Sequence, residues 1–155
     1  MKSESRIALE GSSLPLPEED QLINREETHL HPTVYLVRET FEEGVLKLQQ
    51  FANEYGLTMT YERPTNPRRD RQGKPIYRND VKLSGSVEKF EEAFGVKLYQ
   101  FQTPANSHTL PVTKYLAHYN DISLPASLHP YIMAVLGLDN RPLFRNKKAI
   151  FLSTT

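Results

Sequence analysis

The sequence contains no cysteine, which removes disulfide staples and thiolate metal sites together and leaves the redox compartment open. It has no surplus of charge: 19 Lys and Arg stand against 19 Asp and Glu, so no overall field draws the chain to nucleic acid or to an anionic membrane. No apolar run comes near the ~18 residues of a membrane helix. The opening MKSESRIALEGSS lacks the apolar centre of a secretory signal. At 155 residues there is room for one core. Eleven prolines and a negative mean hydropathy make that core small, with long polar connections.

The overall balance hides two local excesses. Residues 1–30 carry seven acids against three bases around a Leu14-Pro15-Leu16-Pro17 stretch, which reads as an extended acidic arm outside the core. The segment Arg63–Lys74 (RPTNPRRDRQGK) carries five bases and one acid, with two prolines and a glycine, and reads as a basic loop. It is either simply solvated or a docking element for a partner or for the acidic arm. Nucleic acid is not expected there, because no aromatics are interleaved for base stacking.

Between and beyond these stretches the apolar residues are periodic. Thr33–Glu39 alternates as a strand. Thr40 and Glu43 have the spacing of a capping box, and Phe41, Val45, Leu48, Phe51, Ala52 and Tyr55 then recur at helical intervals up to Gly56. Leu57, Met59 and Tyr61 suggest a second strand and Tyr77–Gly85 a third. Ser86 caps a second helix through Val87, Phe90, Ala93 and Phe94, stopped by Gly95, and Val96–Phe101 supplies a fourth strand. The order strand–helix–strand–strand–helix–strand predicts an α+β domain of the ferredoxin-like split β-α-β type, with two helices on one face of an antiparallel sheet. Tyr115–Tyr119 and Ile122–Leu124 predict a C-terminal hairpin. Pro125–Leu136 predicts a closing helix, regular from Ser127 so that Pro130 falls in its first turn. The expected organisation is an arm (1–30), a core (31–137) and a tail (138–155).

Two stretches are more specific, LSGSVEKFEEAFGV at Leu83–Val96 and VLGLDNRP at Val135–Pro142. Together they resemble the pro-domains of the sedolisin family, the serine-carboxyl peptidases of kumamolisin type. In those a strand enters Gly-Ser/Thr-Val and a short helix ending Ala-Phe-Gly-Val, and Leu-Gly-Leu-Asp-x-Arg-Pro later closes the domain. The resemblance extends less specifically from His31 to Pro142 and agrees with the fold read from periodicity. It implies a propeptide that acts as intramolecular chaperone and inhibitor of a kumamolisin-like peptidase domain, in cis or in trans, until acid releases it. It also implies that the segment after the core passes through the peptidase cleft, making Asp139, Asn140, Arg141, Pro142, Leu143, Phe144 and Arg145 the candidate cleft-binding residues, through strand-like backbone pairing. The alternative for that tail is an end without such a role.

No catalytic residue is expected. The family's Ser-Gly-Thr-Ser-type nucleophile motif does not occur, and the acidic pairs Glu42/Glu43 and Glu91/Glu92 fall on helix faces. No metal or cofactor is expected: His29 and His31 could share a strand face but have no third ligand, and His108, His118 and His129 read as surface or boundary residues. A monomer is expected when free. Location stays uncertain, extracellular by resemblance but without a signal. The sequence suits an excised pro-domain, a truncated precursor or a free-standing inhibitor. A ferredoxin-like binding module unrelated to proteolysis, and then a small enzyme on the same scaffold, compete with these readings.

Overall fold

The computed structural model describes residues 4–17, 20–61, 66–76, 78–103 and 113–141. In chain order the strands are β1 (Arg6–Ala8), β2 (Gln21–Ile23), β3 (His29–Leu30) and β4 (Thr33–Leu36). Helix α1 (Phe41–Tyr55) follows, then β5 (Thr58–Thr60), β6 (Arg68–Arg69), β7 (Pro75–Ile76) and β8 (Asp80–Ser86). Helix α2 (Val87–Phe94) precedes β9 (Tyr99–Gln102), β10 (Lys114–Ala117), β11 (Ser123–Pro125) and β12 (Ile132–Leu136).

The main sheet is antiparallel, in the order β12-β4-β8-β5, and β3 extends β4 along β8 in unbroken register. Alternation sorts its side chains: Val34 and Leu36 of β4 and Val81 and Leu83 of β8 point to one face and are buried. On that face they meet Leu48, Phe51, Ala52 and Tyr55 of α1 and Val87, Phe90, Ala93 and Phe94 of α2 in one cluster. The rings of Phe51 and Phe94 lie 5.5 Å apart and those of Phe90 and Phe94 6.0 Å apart, so aromatic packing joins the two helices. Both helix stripes are therefore those that periodicity predicts. The Ser86 cap also holds, its hydroxyl accepting from the Lys89 amide at 3.4 Å. The α+β ferredoxin-like class stands.

The fourth strand of the sheet is not the expected one. Val96–Phe101 does contain a strand, but β9 pairs with β10 and β2 in a separate three-stranded sheet. The fourth position, beside β4, is filled by β12, from the segment expected to be the closing helix. Residues 125–136 are instead the end of β11, a turn, a 3-10 turn at His129–Tyr131, and β12. Pro130 sits in that 3-10 turn, and Tyr131 continues into extended backbone at Ile132. The predicted hairpin is also absent, since β10 pairs with β9 and β11 pairs with β1. Residues between α2 and β12 thus form an insertion, whose Ile122, Leu124 and Leu128 reach into the main core.

Three further expectations change. The acidic arm is extended, yet it is stitched to this insertion through β1–β11 and β2–β9. The basic loop contains a hairpin, β6–β7, whose turn is organised by Asp70 Oδ1 accepting from the amides of Gln72 and Lys74, both at 2.9 Å. The capping box at Thr40 does not form: Thr40 ends a 3-10 turn (Arg38–Thr40) and makes no side-chain cap bond. Glu43 instead accepts from the Tyr131 hydroxyl, which raises the pKa of that phenol.

Candidate functional site

The sheet has a second face, opposite the helices. Thr33 and Tyr35 of β4, Asp80, Lys82 and Ser84 of β8, Thr58 and Thr60 of β5, and Ala134 and Leu136 of β12 occupy it by alternation. Register places Leu136, Thr33, Lys82 and Thr60 in one row across all four strands, with Ala134, Tyr35 and Asp80 in the next. Lys82, Thr58, Thr60 and Leu136 are exposed, and Leu136 is 57% exposed. The Asp80 carboxylate is spoken for, accepting from Arg78 Nε at 2.9 Å and from Nη2 at 2.8 Å. That partner raises the Arg78 pKa. Among the described residues this face therefore offers a phenol, hydroxyls, one lysine and an exposed leucine, a composition suited to packing.

At its C-terminal end β12 leads into the stretch Gly137–Arg141. Gly137 has φ of +110°, and a Cβ there would lie 3.1 Å from Pro32 Cα, so this turn admits only glycine without strain. Leu138 plugs the core at 1% exposure. Asn140 behaves as a short strand partner for β10: its amide donates to Leu116 O at 3.0 Å, and its Oδ1 accepts from the Leu116 amide at 2.6 Å. Asp139 and Arg141 form a fork, with Nε to Oδ1 at 2.9 Å and Nη2 to Oδ2 at 2.6 Å. Arg141 Nη1 donates to Pro15 O at 2.9 Å. The Asp139 carboxylate raises the Arg141 pKa, overcoming partial burial.

These distances sort the candidate cleft residues. Asp139, Asn140 and Arg141 are engaged inside the domain, where they anchor the root of the tail. Pro142, Leu143, Phe144 and Arg145 lie outside the described residues. The other specific stretch also has a packing contact: a Cβ on Gly85 would come 2.7 Å from Leu57 Cδ2, so any larger residue at the end of β8 would force the buried Leu57 side chain to shift. Neither Leu136 nor the row around Lys82 was singled out from the sequence. Alternation in β8 contains the signal for Lys82, whereas the expected helix hid Leu136.

His29 and His31 have ring centroids 6.4 Å apart. Among the described residues no group of three or more His, Cys, Asp or Glu gathers in metal-binding range. His118 is buried and its Nδ1 lies 2.9 Å from Asn120 O, while His129 Nε2 lies 3.2 Å from Ala8 O. His108 lies outside the described residues. Among those residues no helix is long and apolar enough to cross a membrane.

Fold and site together define a small ferredoxin-like domain with, among the described residues, helices on one face of its sheet and an anchored C-terminal exit. The sequence model of the pro-kumamolisin activation domain matches residues 43–141, well over half of the chain. Kumamolisin from Bacillus sp. (strain MN-32) is 33% identical over 122 residues, covering 74% of this chain and 19% of that protein. The chain belongs to the pro-kumamolisin activation domain family. It spans about a fifth of the curated relative it matches.

Proposed function

We propose that this chain is the propeptide of a kumamolisin-like peptidase, serving as its intramolecular chaperone and inhibitor. The observation that carries the reading is the main sheet, with helices on one face only, in a chain that matches the activation-domain family. A preformed sheet offers the partner a folded surface on which to order its non-local contacts, the slow part of folding. Tyr35, Lys82 and Leu136 are the side chains with which that face would meet the peptidase. The anchored root at Asp139–Arg141 then sets where the following residues Pro142, Leu143, Phe144 and Arg145 enter the cleft, and they bind there as an extended strand. Acid weakens the complex through interface carboxylates whose bound-state pKa is depressed, since their contribution is lost as pH falls through that lower value.

The test uses a kumamolisin-like peptidase, for which kumamolisin of Bacillus sp. (strain MN-32), the matched relative, serves. The folded chain should inhibit it near neutral pH and less so in acid. Leu136→Asp and Lys82→Glu together should weaken inhibition without altering the far-UV CD spectrum, and removal of residues after Arg141 should weaken it separately. Full peptidase activity with excess protein at every pH would overturn the inhibitor reading. Full inhibition by the truncated chain would overturn the role given to residues 142–145.

A further inference from the structure

Six carboxylates fasten the N-terminal arm to the rest of the chain, spaced along its length. Glu4 accepts from the Ser127 amide at 2.5 Å and from its hydroxyl at 3.0 Å. Asp121 accepts from the Ser13 amide at 3.1 Å. Asp139 holds Arg141, which reaches Pro15 O. Asp20 accepts from the Tyr115 hydroxyl. Glu91 pairs with Arg25 at 2.5 Å, and Glu26 with Lys114 at 2.6 Å. The apolar contribution along the same path is thin: Leu9 and Leu16 are only partly buried, and Ile7, Leu14 and Leu22 are exposed. The ferredoxin-like unit is the reverse case, since its sheet and helices meet through buried aliphatic and aromatic side chains.

We propose that residues 4–17 and 20–26 form an acid-released strap: protonating Glu4, Asp121 and Glu91 detaches β1 from β11 and β2 from β9 while the main sheet and both helices stay folded. Release frees the edges of β9 and β11 and uncovers Phe101 and Tyr115, against which Leu16 packs. The acid response lies inside the domain and needs no partner.

Arg6 of β1 also donates to Ala93 O, to Ser123 O and to the Tyr55 hydroxyl, bonds to uncharged acceptors that the carboxylate latches supplement. Arg25 and the Leu98 amide face Glu91, with Lys97 nearby and Glu88 3.5 Å from the same Arg25. Burial pushes Glu91 up, but those donors outweigh it and leave its pKa below the ordinary value. The Ser127 hydroxyl and amide lower Glu4, with Lys47 and the amino-terminal charge adding to them. The Ser13 hydroxyl lowers Asp121, assisted by the amides of Ser13, Gly11 and Ser12. Asp20 faces Tyr115 and Arg141, and Glu26 faces Lys114. Of the histidines, His129 Nε2 lies 3.2 Å from Ala8 O, and the buried His118 lines one cavity with Leu9, Gly11, Ser12 and Leu14 of the arm. For Glu4, Asp121 and Glu91 the sign follows from the depressed values: these latches are closed above the ordinary carboxylate range and open as pH falls through the lower folded-state values.

Amide exchange on the whole chain, corrected for intrinsic exchange chemistry, tests the strap between about pH 7 and about pH 3. Protection across residues 6–8 and 21–23 should fall by about tenfold or more, while residues 44–55 and 87–94 change by less than about twofold. The double substitution Glu91→Gln with Asp121→Asn should reproduce the loss in the arm at neutral pH. The proposal is overturned if the arm keeps its protection in acid, if arm and helices lose it in step, or if the double variant exchanges like the parent.

Discussion

Truncating Phe94 to alanine tests the junction of the two helices. The ring is 1% exposed and touches Phe51 across the helix pair and Phe90 along its own helix. Its removal loses the transfer free energy of a benzyl group and leaves a cavity that helices pinned to a sheet cannot close. The expected cost is about 3–5 kcal/mol. For a chain of this size that lowers Tm by roughly 2–4 °C per kcal/mol, on the order of 10 °C in total. Phe51, 4% exposed, should behave alike. Because the two rings touch, the double variant should depart from additivity by about 0.5–1.5 kcal/mol. Leu46 is the control: it lies on the same helix as Phe51 at 67% exposure, and Leu46→Ala should stay within about 0.5 kcal/mol of the parent. Urea unfolding followed by far-UV CD supplies all four free energies. A Phe94→Ala loss below about 1 kcal/mol, or strict additivity with Phe51→Ala, would show that these helices do not share a core.

Asp139→Ala leaves the half-buried Arg141 guanidinium without its fork and should cost about 1–3 kcal/mol in urea unfolding. Gly85→Ala drives a methyl into Leu57 and should cost about 1–3 kcal/mol by the same measurement. Glu91, with its pKa lowered in the fold, contributes stability that is complete above its unfolded value of about 4.3 and is lost as pH falls through the lower folded value. Glu91→Gln should therefore flatten the acid limb of a stability–pH profile and leave its shape above about pH 6 unchanged. A profile steepened by that substitution would refute the pairing with Arg25.

The parts legible in the sequence are those fixed by local period. The stripes of α1 and α2, the Ser86 cap and the inward set Val81 and Leu83 follow from side-chain spacing alone. Strand β12 was not legible because Ile132, Val135 and Leu136 have helical intervals. The register shift between Ile132 and Ala134 explains the deception: a bulge adds a residue, so Ile132 and Val135 both turn to the core where a regular strand would send them to opposite faces. Strand β9 could be read as a strand but not assigned a partner, since alternation says which side chains share a face and nothing about which edge the backbone meets. At the C-terminal exit, resemblance pointed to residues from Asp139 onward as cleft residues. It could not show that Asn140 already pairs with Leu116 and Arg141 with Pro15 O, because those contacts reach across the chain to β10 and the arm.

Placing β12 beside β4 has a consequence for the timing of synthesis. Strands β4, β5 and β8 and both helices leave the ribosome well before residue 132, so the strand that covers the β4 edge is the last of the sheet to be synthesised. The strand that closes that edge runs directly into Gly137–Arg141, where the chain is pinned to β10 and to Pro15. Completing the sheet and fixing the direction of whatever emerges after Arg141 are thus a single step. Since chains emerge at roughly 5–20 residues per second, that step comes some seconds after β4 appears. The direction of the chain beyond Arg141 is set only once the sheet has closed.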